Sequence, residues 1–525
     1  MIENSDQNQQ AFGEQSLSSD KVQECVDLLQ SIIRNRVVLS TIPAELRLEL
    51  MMAAGRVSRP EKFEVMRLSK SYRRVKKRKE MKQDRMVTAK TAIREARQAS
   101  VFVPPPETLQ IPGEMSSRPQ LKRPRHCYVC KVEFVDVHFF YDAMCPACAS
   151  LNYAKRFQTA SLHGKVAVIT GARLKIGYQS ALMMLRAGAK VIATTRFPRD
   201  AATRFASEKD YEDWKGRLEV HGLDLRHSPS VEIFAEYVNR SQKRLDILIN
   251  NAAQTVRRPP GFYKHLLEAE EIAFRELPTE IQQPLRPYEF ECRRAMADSN
   301  LAVGDGDDKN SWVAQYALEG AAIGLRVPAL LSQIPRVKGE GEFDSELFPE
   351  GKRDADLQQV DLRPMNSWRM RLGDVPTPEL IEVQLVNAIA PFILCSKLKP
   401  LMVRDKTFDK HIVNVSAMEG KFTRYTKTDK HPHTNMAKAS LNMMTVTSAP
   451  DYAEDGIYMN AVDTGWVTDE DPLQLSNRKQ IDHDFQPPLD IVDGAARVCD
   501  PFFSGLITGN HVWGKFLKDY VPTSW

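Results

Sequence analysis

The chain has 525 residues, of which 42% are hydrophobic and 27% are charged. This length predicts one large α/β unit with smaller attachments, and the apolar content excludes wholesale disorder. We see no apolar run that approaches the roughly 18 residues of a membrane span. The polar start, Met1 to Asp20, resembles neither a secretory signal nor a transit peptide. We therefore expect a cytoplasmic or nuclear protein without membrane contact.

The N-terminal part is predicted to be helical and basic. After a disordered leader at residues 1–20, apolar residues at helical spacing predict two short helices, Val22 to Val38 and Ala44 to Gly55, within a helical region spanning 21–100. The segment Glu61 to Ser100 contains no Gly or Pro and predicts one long helix. Its fourteen Lys or Arg against five Asp or Glu give a surplus of +9, whereas the whole chain carries only +5.

The basic helix has two open interpretations. The run Arg73 to Lys79 could contact nucleic-acid phosphates or act as a nuclear import signal. A solvated helix face is favoured, because only Phe63 and Tyr72 are available for stacking on bases. The proline-rich residues 101–125 that follow predict a linker.

Four cysteines predict a metal site in a small module at residues 126–150. They form two CxxC pairs with fourteen residues between them: Cys127, Cys130, Cys145 and Cys148. A short hairpin, Lys131 to Tyr141, would bring the pairs together around tetrahedral Zn²⁺. Four thiolates close the coordination shell, so this zinc would be structural; redox-active or unligated cysteines are the alternative.

A glycine-rich loop follows the first of several predicted parallel strands. Val166 to Ile169 is a buried-strand pattern, the loop Thr170 to Gly177 follows it, and Tyr178 to Ala187 is helical. This order places a pyrophosphate over a helix N-terminus. Further predicted strands are Lys190 to Thr195, Leu218 to Gly222, Leu245 to Ile249 and His411 to Val415. Strands alternating with helices predict a doubly wound parallel sheet of Rossmann type over residues 160–525.

These motifs resemble the short-chain dehydrogenase/reductase family. Its TGxxxGxG, strand-end Asp and NNAG patterns recur here in order, with Lys175 in place of the middle glycine and Ala253 in place of the last. By resemblance, Asn250 and Asn251 would support the nucleoside side of the pocket. The resemblance implies that a nicotinamide dinucleotide contacts Thr170, Gly171, Arg173, Lys175, Ile176, Gly177, Arg196, Asp224, Leu225, Asn251, Ala252, Ala253, Lys438, Gly465, Val467 and Thr468.

The end of the second strand indicates which dinucleotide is bound. An acidic residue there would accept bonds from a ribose 2′-hydroxyl and repel a 2′-phosphate. This chain has Arg196 at that place, with Arg173 and Lys175 in the glycine loop. The charges favour NADP(H) over NAD(H), while an exposed loop arginine without such a role is the alternative.

A large insertion separates the two halves of the family pattern. Gln384 to Ala388 resembles the helix that in the family comes soon after NNAG, so Arg257 to Thr377 is predicted to be an insertion. It contains a predicted helix, Trp312 to Leu325, and a charged loop, Gly304 to Lys309. We expect a lid or substrate-binding subdomain beside the nicotinamide end of the cleft.

The resemblance also implies catalytic residues, with one substitution. Asn387 would hold a relay water, Ser416 would stabilise the substrate oxygen, and Lys438 would hold the nicotinamide ribose. Thr434 stands where the family has its catalytic tyrosine, and an aliphatic hydroxyl is too weak an acid to replace a phenol. Either His433 or Tyr425 could donate the proton instead, and the third possibility is that the chain has no proton donor.

The sequence therefore favours an NADP(H)-dependent oxidoreductase that moves a hydride between the nicotinamide and a carbonyl/alcohol substrate. The alternative is a catalytically silent dinucleotide-binding module with a regulatory or interaction role. A homo-oligomer and nucleic-acid contact by the basic helix are further expectations, the second less favoured.

Overall fold

A computed structural model of the chain describes residues 18–101, 103, 118–292, 320, 322–340, 345–423 and 427–525. The chain divides after Met81 into two compact units. Several predicted features lie outside the described residues: the leader up to residue 17, most of the linker, the loop Gly304 to Lys309, most of the helix Trp312 to Leu325, and Tyr425.

The first unit contains the two short helices predicted from the sequence. They are α1 (Ser19–Arg34) and α2 (Ala44–Ser58), and a 3₁₀ turn, Arg36–Thr41, follows α1. Ser18 caps α1, because its hydroxyl accepts a hydrogen bond from the Lys21 backbone N–H at 3.3 Å. Among the described residues of this unit only Ile32 is buried. The helices therefore expose most of their apolar side chains.

The long basic helix is shorter than predicted. Helix α3 (Lys62–Thr88) ends twelve residues before Ser100, and a separate short helix, α4 (Ala92–Ala96), follows it. At the break, the N–H groups of Ala92 and Ile93 donate to the carbonyls of Phe139 and Phe140 at 3.0 and 3.1 Å. The prediction of one continuous helix to Ser100 is therefore wrong, because backbone hydrogen bonds to Phe139 and Phe140 replace those of the helix at this point.

The four cysteines lie on a small hairpin and a helix. Strands β1 (Gln120–His126) and β2 (Glu133–Asp136) pair antiparallel, and α5 (Pro146–Lys155) follows. The first CxxC pair forms the turn between the strands, and the second opens α5. The hairpin therefore begins earlier in the chain than the predicted range, Lys131 to Tyr141. The predicted linker, residues 101–125, is wrong at its last residues, which form β1.

A mainly parallel sheet of eight strands forms the centre of the second unit. Their order across the sheet is β5-β4-β3-β6-β7-β8-β9-β10, and only β10 is antiparallel to its neighbour. The strands are β3 (Val166–Thr170), β4 (Lys190–Thr195), β5 (Leu218–Gly222), β6 (Ile247–Asn250), β7 (Lys410–Ser416), β8 (Ile457–Asp463), β9 (Phe516–Lys518) and β10 (Val521–Thr523). The predicted doubly wound α/β fold is confirmed.

Helices cover both faces of this sheet, which explains why the strands have continuous apolar sequences. Along β3, Ala167 and Ile169 belong to one buried cluster and Val168 to another, as alternation across a strand requires. The helices are α6 (Lys175–Arg186), α7 (Pro198–Ala206), α8 (Tyr211–Trp214), α9 (Ser228–Ser241), α10 (Pro260–Glu271), α11 (Thr279–Arg286), α12 (Ile323–Arg326), α13 (Pro328–Leu331), α14 (Thr377–Gln384), α15 (Ala390–Val403), α16 (Pro432–Glu454), α17 (Leu473–His483) and α18 (Ile491–Thr508).

Within the described parts of the chain, one continuous helical stretch is apolar enough to cross a membrane by length and composition. It runs from Thr377 to Val403, and 56% of its most apolar window is buried inside the protein. The sequence-based statement that no run approaches this length was therefore wrong. Its packing against α9 and β7 accounts for the apolar residues as those of a core helix.

The insertion packs against two separate parts of the second unit. Helices α10 and α11 pack against α7, and α11 also packs against the edge strand β5. Further along, Asn366 donates to the Glu470 carbonyl at 2.9 Å, and the Trp368 ring stacks on His431 at 3.9 Å between centroids. The first half of the insertion therefore lies at the β5 side of the sheet and its second half beside the loop that follows β8, and the lid or substrate-binding role stays a prediction.

Candidate functional site

The glycine loop after β3 is held by the loop after β6. Asn251 donates from its side chain to the carbonyls of Thr170 and Gly171 at 3.0 and 3.1 Å. A Cβ at Gly177 would lie 2.3 Å from both the Asn251 amide nitrogen and the Gly171 carbonyl oxygen. Only glycine fits there, so the backbone at the N-terminus of α6 stays open to a phosphate group.

Lys175 occupies the middle glycine's place at a backbone cost. Its φ is +53°, in the left-handed region that favours glycine. Its ammonium lies 3.5 Å from the Asp356 carboxylate of the insertion. Although burial acts to lower the pKa of Lys175, the charges of Asp356, Glu470 and Asp354 outweigh it and raise the pKa. Lys175 therefore carries a full positive charge beside the glycine loop.

The two arginines predicted to select the coenzyme already have partners. Arg173 is buried and pairs with Asp200 at 2.8 Å. Arg196 donates to the Tyr263 hydroxyl at 2.8 Å and lies over its ring. Burial acts to raise the pKa of Tyr263, but the charge of Arg196 outweighs it and the pKa is lowered. The partner of Arg196 at the end of β4 is therefore a phenol hydroxyl rather than a carboxylate.

Asp224 and Asn250 are not open to a nucleoside in this structure, contrary to prediction. Asp224 is 1% exposed, its carboxylate accepts hydrogen bonds from Arg226 at 2.6 Å, and its backbone N–H donates to the Gly324 carbonyl of the insertion. Burial acts to raise the pKa of Asp224, but the Arg226 bonds outweigh it and lower the pKa. Asn250 donates instead to Asn414 on β7 at 2.8 Å.

The remaining predicted contacts of this half surround the glycine loop or the end of β5. Leu225 is buried beside Asp224, Ile176 is partly buried, and Ala253 is exposed. The Ala252 backbone N–H donates to the Thr170 hydroxyl at 3.0 Å. Ala252 therefore fixes the loop together with Asn251.

A lysine and a serine lie at the carboxyl end of β7. Ser416 donates to the Asn442 side-chain oxygen at 2.6 Å, and the Lys438 ammonium donates to the Val415 carbonyl at 2.7 Å. Burial lowers the pKa of Lys438 to about 8, although Glu419 acts to raise it. Asn442 was missed from the sequence, yet it stands four residues after Lys438 on one predicted helix and so on the same face.

Asn387 lies in a π-helical turn, Leu385–Ile389, between α14 and α15. Such turns often occur at functional sites. Its side-chain oxygen accepts from the Gln254 N–H at 2.7 Å, and its amide donates to the Gln254 carbonyl at 3.2 Å. Asn387 thus holds the backbone of Gln254 in the segment that follows β6. Its side chain connects the segment before the insertion with the helix after it.

The side chains of Thr434, His433 and His431 lie in three different environments. Thr434 is 3% exposed, and its hydroxyl has no hydrogen-bond partner among the described residues. His433 is 1% exposed, and its Nε2 lies 3.4 Å from a Glu379 carboxylate oxygen on α14. His431 stacks on Trp368 of the insertion. Glu379 was missed because nothing in its local sequence marks it.

The loop after β8 carries the last predicted coenzyme contacts. Gly465 has a φ of +76° and Val467 is 9% exposed. Thr468 donates from its hydroxyl to the Glu470 carboxylate at 2.7 Å. Because β8 pairs with β7 in register, with Asp463 opposite Ser416, this loop begins beside the serine.

The four predicted metal ligands come together. Sulfur atoms of Cys127, Cys130, Cys145 and Cys148 all lie within 4.8 Å of one another. Burial acts to raise the pKa of Cys127, but backbone hydrogen bonds from Cys145 and Cys130 outweigh it and lower the pKa to about 7. The arrangement can hold one metal ion.

Two family models match the two halves of this site. One described as "short chain dehydrogenase" matches residues 165–272, and one described as "Enoyl-(Acyl carrier protein) reductase" matches residues 365–487. The chain belongs to the short-chain dehydrogenase/reductase family. As a divergent member of this family of oxidoreductases, it carries a long insertion, and residues 273–364, between the two matches, fall inside it.

Individual relatives cover different parts of the chain. An uncharacterized protein of Acanthamoeba polyphaga mimivirus is 30% identical over 391 residues, which are 72% of this chain and 71% of that protein. Retinol dehydrogenase 12 of Bos taurus is 37% identical over 109 residues, 20% of this chain and 34% of its own. The named dehydrogenase relatives match over 24% to 36% of their length. A structure of a Pseudomonas aeruginosa RhlG/NADP complex has 14% identity and a TM-score of 0.38, covering 68% of this chain and 95% of that one.

Proposed function

We propose that this protein binds NADP(H) and transfers a hydride between the nicotinamide and a carbonyl/alcohol substrate. The observation that carries the proposal is the glycine cradle, where Gly171, Gly177 and Asn251 meet so closely that no side chain fits. This cradle suits a pyrophosphate at the N-terminus of α6. A relative named retinol dehydrogenase supports an alcohol as the reduced substrate.

The residues that would hold the coenzyme follow the carboxyl ends of the strands: Arg196 after β4 would face the adenosine part, and Ser416 and Lys438 at the end of β7 would face the nicotinamide part. When bound, the coenzyme supplies or accepts the hydride. Lys438 would exchange its bond to the Val415 carbonyl for bonds to the nicotinamide ribose. The Ser416 hydroxyl would turn from Asn442 to the substrate oxygen and stabilise the charge that develops there.

The proton at the substrate oxygen needs a separate donor, because Thr434 cannot supply it. His433 is one proposed donor, and its Nε2 lies 3.4 Å from a Glu379 carboxylate oxygen. Tyr425, outside the described residues, is the other. Asn387 keeps the connection between β6 and α15 in place and would order the relay water.

The choice of NADP(H) is tested by direct binding. We expect NADPH to bind at least tenfold more tightly than NADH, because the cationic Arg196 stands where NAD-specific relatives of this fold place an acid. Arg196→Leu should remove most of this preference. Arg240→Leu, whose guanidinium pairs with Glu236 on the surface of α9, is the matched control. Equal affinity of the wild type for NADH and NADPH contradicts this part of the proposal.

The metal proposed for the cysteines is Zn²⁺ in a structural role. Four sulfurs within 4.8 Å fit a tetrahedral thiolate site, and a closed shell leaves no position for substrate. Full-length protein should contain one zinc per chain, and Cys148→Ser should lower that content. The same zinc content in Cys148→Ser as in the wild type contradicts the assignment.

A silent dinucleotide-binding module is the second candidate. It is favoured by the buried Thr434 hydroxyl and by the packing of His433 against Glu379. Turnover of a panel of aldehydes and ketones by the wild type, but not by Lys438→Ala, would contradict it. NADPH binding without any turnover would favour it. Where the wild type does turn over a substrate, His433→Ala distinguishes the two proton donors.

Partners and location remain proposals as well: a cytoplasmic or nuclear protein, a homo-oligomer, and weak contact of the basic helix with nucleic acid. Removing residues 61–100 is an unsuitable test, because Ile93 is completely buried in the second unit. Replacing Arg73, Arg74, Lys76 and Lys77 with Gln leaves that core intact. Unchanged affinity for nucleic acid in this variant would contradict the contact.

A further inference from the structure

The cysteine module touches the loop that follows β8. The Trp466 backbone N–H donates to the Tyr128 hydroxyl at 2.9 Å. Tyr128 stands inside the first CxxC pair, between Cys127 and Cys130. A Cβ on Gly465 would lie 3.1 Å from the same hydroxyl oxygen. The knuckle therefore holds this loop by a direct bond and a close backbone approach.

An apolar core continues from the module to the glycine loop. Val467, after β8, and Phe140, in the module, belong to one buried cluster, and Ile176 of the glycine loop packs against it. A Cβ on Gly494 would lie 2.7 Å from Ile176 and 3.2 Å from Val467. The two loops and the module therefore share one buried apolar cluster.

Buried ionic contacts fix the module to α18. Arg156, directly after α5, pairs with Asp490 and Asp493 at 2.7 and 2.8 Å. The Tyr141 hydroxyl donates to Asp493 at 2.5 Å. Because the second CxxC pair opens α5, the direction of this helix depends on where Cys145 and Cys148 are held.

Both contacted loops lie at carboxyl ends of strands, after β3 and after β8, where open parallel sheets bind their ligands. We propose that metal binding by the cysteine module controls dinucleotide affinity, with Tyr128 as the positioning residue for the loop Thr464–Thr468. This inference rests on the proposed coenzyme and metal sites. Without the metal, the knuckle no longer fixes Tyr128, and dinucleotide binding must bear the entropic cost of ordering the loop.

The first test separates positioning from general stability. Full-length Tyr128→Phe keeps the ring and removes the acceptor, so its dissociation constant for NADPH should rise by about three- to tenfold, the effect of one net hydrogen bond. Affinity for adenosine 2′,5′-bisphosphate should not change, because that ligand covers only the β4 side. Tyr458→Phe, at the other end of β8 and stacked on His511, is the matched control and should leave both affinities unchanged.

The second test removes the metal from wild-type protein. Zinc is stripped with a chelator, and NADPH binding is followed by nicotinamide fluorescence, with zinc content and circular dichroism measured on the same samples. We expect the dissociation constant to rise at least tenfold and to recover when zinc is returned. If stripping unfolds the protein, Tyr128→Phe with full zinc content decides the question alone.

The outcomes distinguish this inference from the proposed function. Tight NADPH binding that is indifferent both to zinc and to Tyr128→Phe overturns the inference and leaves the proposed function standing. An equal loss of NADPH and adenosine 2′,5′-bisphosphate affinity in Tyr128→Phe also overturns it, because that result indicates a structural role only. No binding of NADPH or NADH by zinc-loaded wild type overturns the proposed function, and the inference with it.

Discussion

Replacing Arg156 with Met should strongly destabilise the second unit. The Arg156 side chain is 4% exposed, and its carboxylate partners Asp490 and Asp493 are 2% and 0% exposed. Methionine fills much of the same volume, so the substitution mainly removes the charge. Two buried carboxylates would then face each other with their main counter-ion gone.

The cost follows from the burial of these groups. Removing one partner of a buried ion pair destabilises proteins by about 3–5 kcal/mol, because the remaining charge stays desolvated. At present burial acts to raise the pKa of Asp490, but Arg156 outweighs it and lowers the pKa. Burial and the charge of Asp490 raise the pKa of Asp493. Without Arg156 the pKa of both carboxyls should rise above the unfolded value, so the deficit is largest at pH 7 and shrinks as pH falls toward 4.

Equilibrium unfolding in guanidinium chloride, followed by tryptophan fluorescence on zinc-loaded protein, measures the change. Arg186→Met is the control, because Arg186 pairs with Asp210 on the surface, with 37% of its side chain exposed, and should cost about 1 kcal/mol or less. Adding Asp490→Asn and Asp493→Asn to Arg156→Met should restore most of the lost stability. A loss in Arg156→Met no larger than in Arg186→Met would refute the reasoning.

Substitutions at Lys438, Gly177 and Lys175 test the dinucleotide site and the backbone of its glycine loop. Burial lowers the pKa of Lys438 to about 8, so wild-type affinity for NADPH should fall about tenfold from pH 7 to pH 9 as the free protein loses this positive charge. Lys438→Met should bind NADPH weakly at both pH values. The same pH dependence in Lys438→Met as in the wild type would contradict the binding role of Lys438. Gly177→Ala should abolish NADPH binding, whereas Gly216→Ala, with nothing within 4 Å of its Cβ, should not. Lys175→Gly should be more stable than Lys175→Ala by about 1 kcal/mol in thermal unfolding, since the φ of residue 175 is +53°. Equal stabilities of the two variants would argue against backbone strain at this residue.

The sheet could be predicted closely because its signals are local. Lys190–Thr195 and Leu218–Gly222 were predicted to the residue, since strands buried on both faces need unbroken apolar sequences. The glycine loop was equally clear, because a pyrophosphate cradle requires residues such as Gly177 at fixed spacing. The clustering of the four cysteines also followed from spacing alone, as the two CxxC pairs did come together.

Features that depend on distant parts of the chain could not be predicted. The break in the basic helix before Ala92 depends on carbonyls of Phe139 and Phe140, about fifty residues further on. Asp224 has the family's spacing, yet its backbone N–H bonds the carbonyl of Gly324, a hundred residues further on, while the neighbouring Arg226 binds its carboxylate. Neither partner belongs to a motif, and the insertion that supplies Gly324 has no recognisable pattern.

The geometry of α16 also limits how His433 can act. Residues four apart lie on one face of a helix, so Thr434, Lys438 and Asn442 share the face of α16 from which Asn442 bonds Ser416. His433 is offset from this face by about 100°, the turn of one residue, and its ring accordingly meets Glu379 on α14. If His433 only stabilises that packing, His433→Gln should lower the free energy of unfolding and leave the pH profile of turnover unchanged. A donor on the substrate side must instead lie on the Lys438 face or on the chain that crosses it.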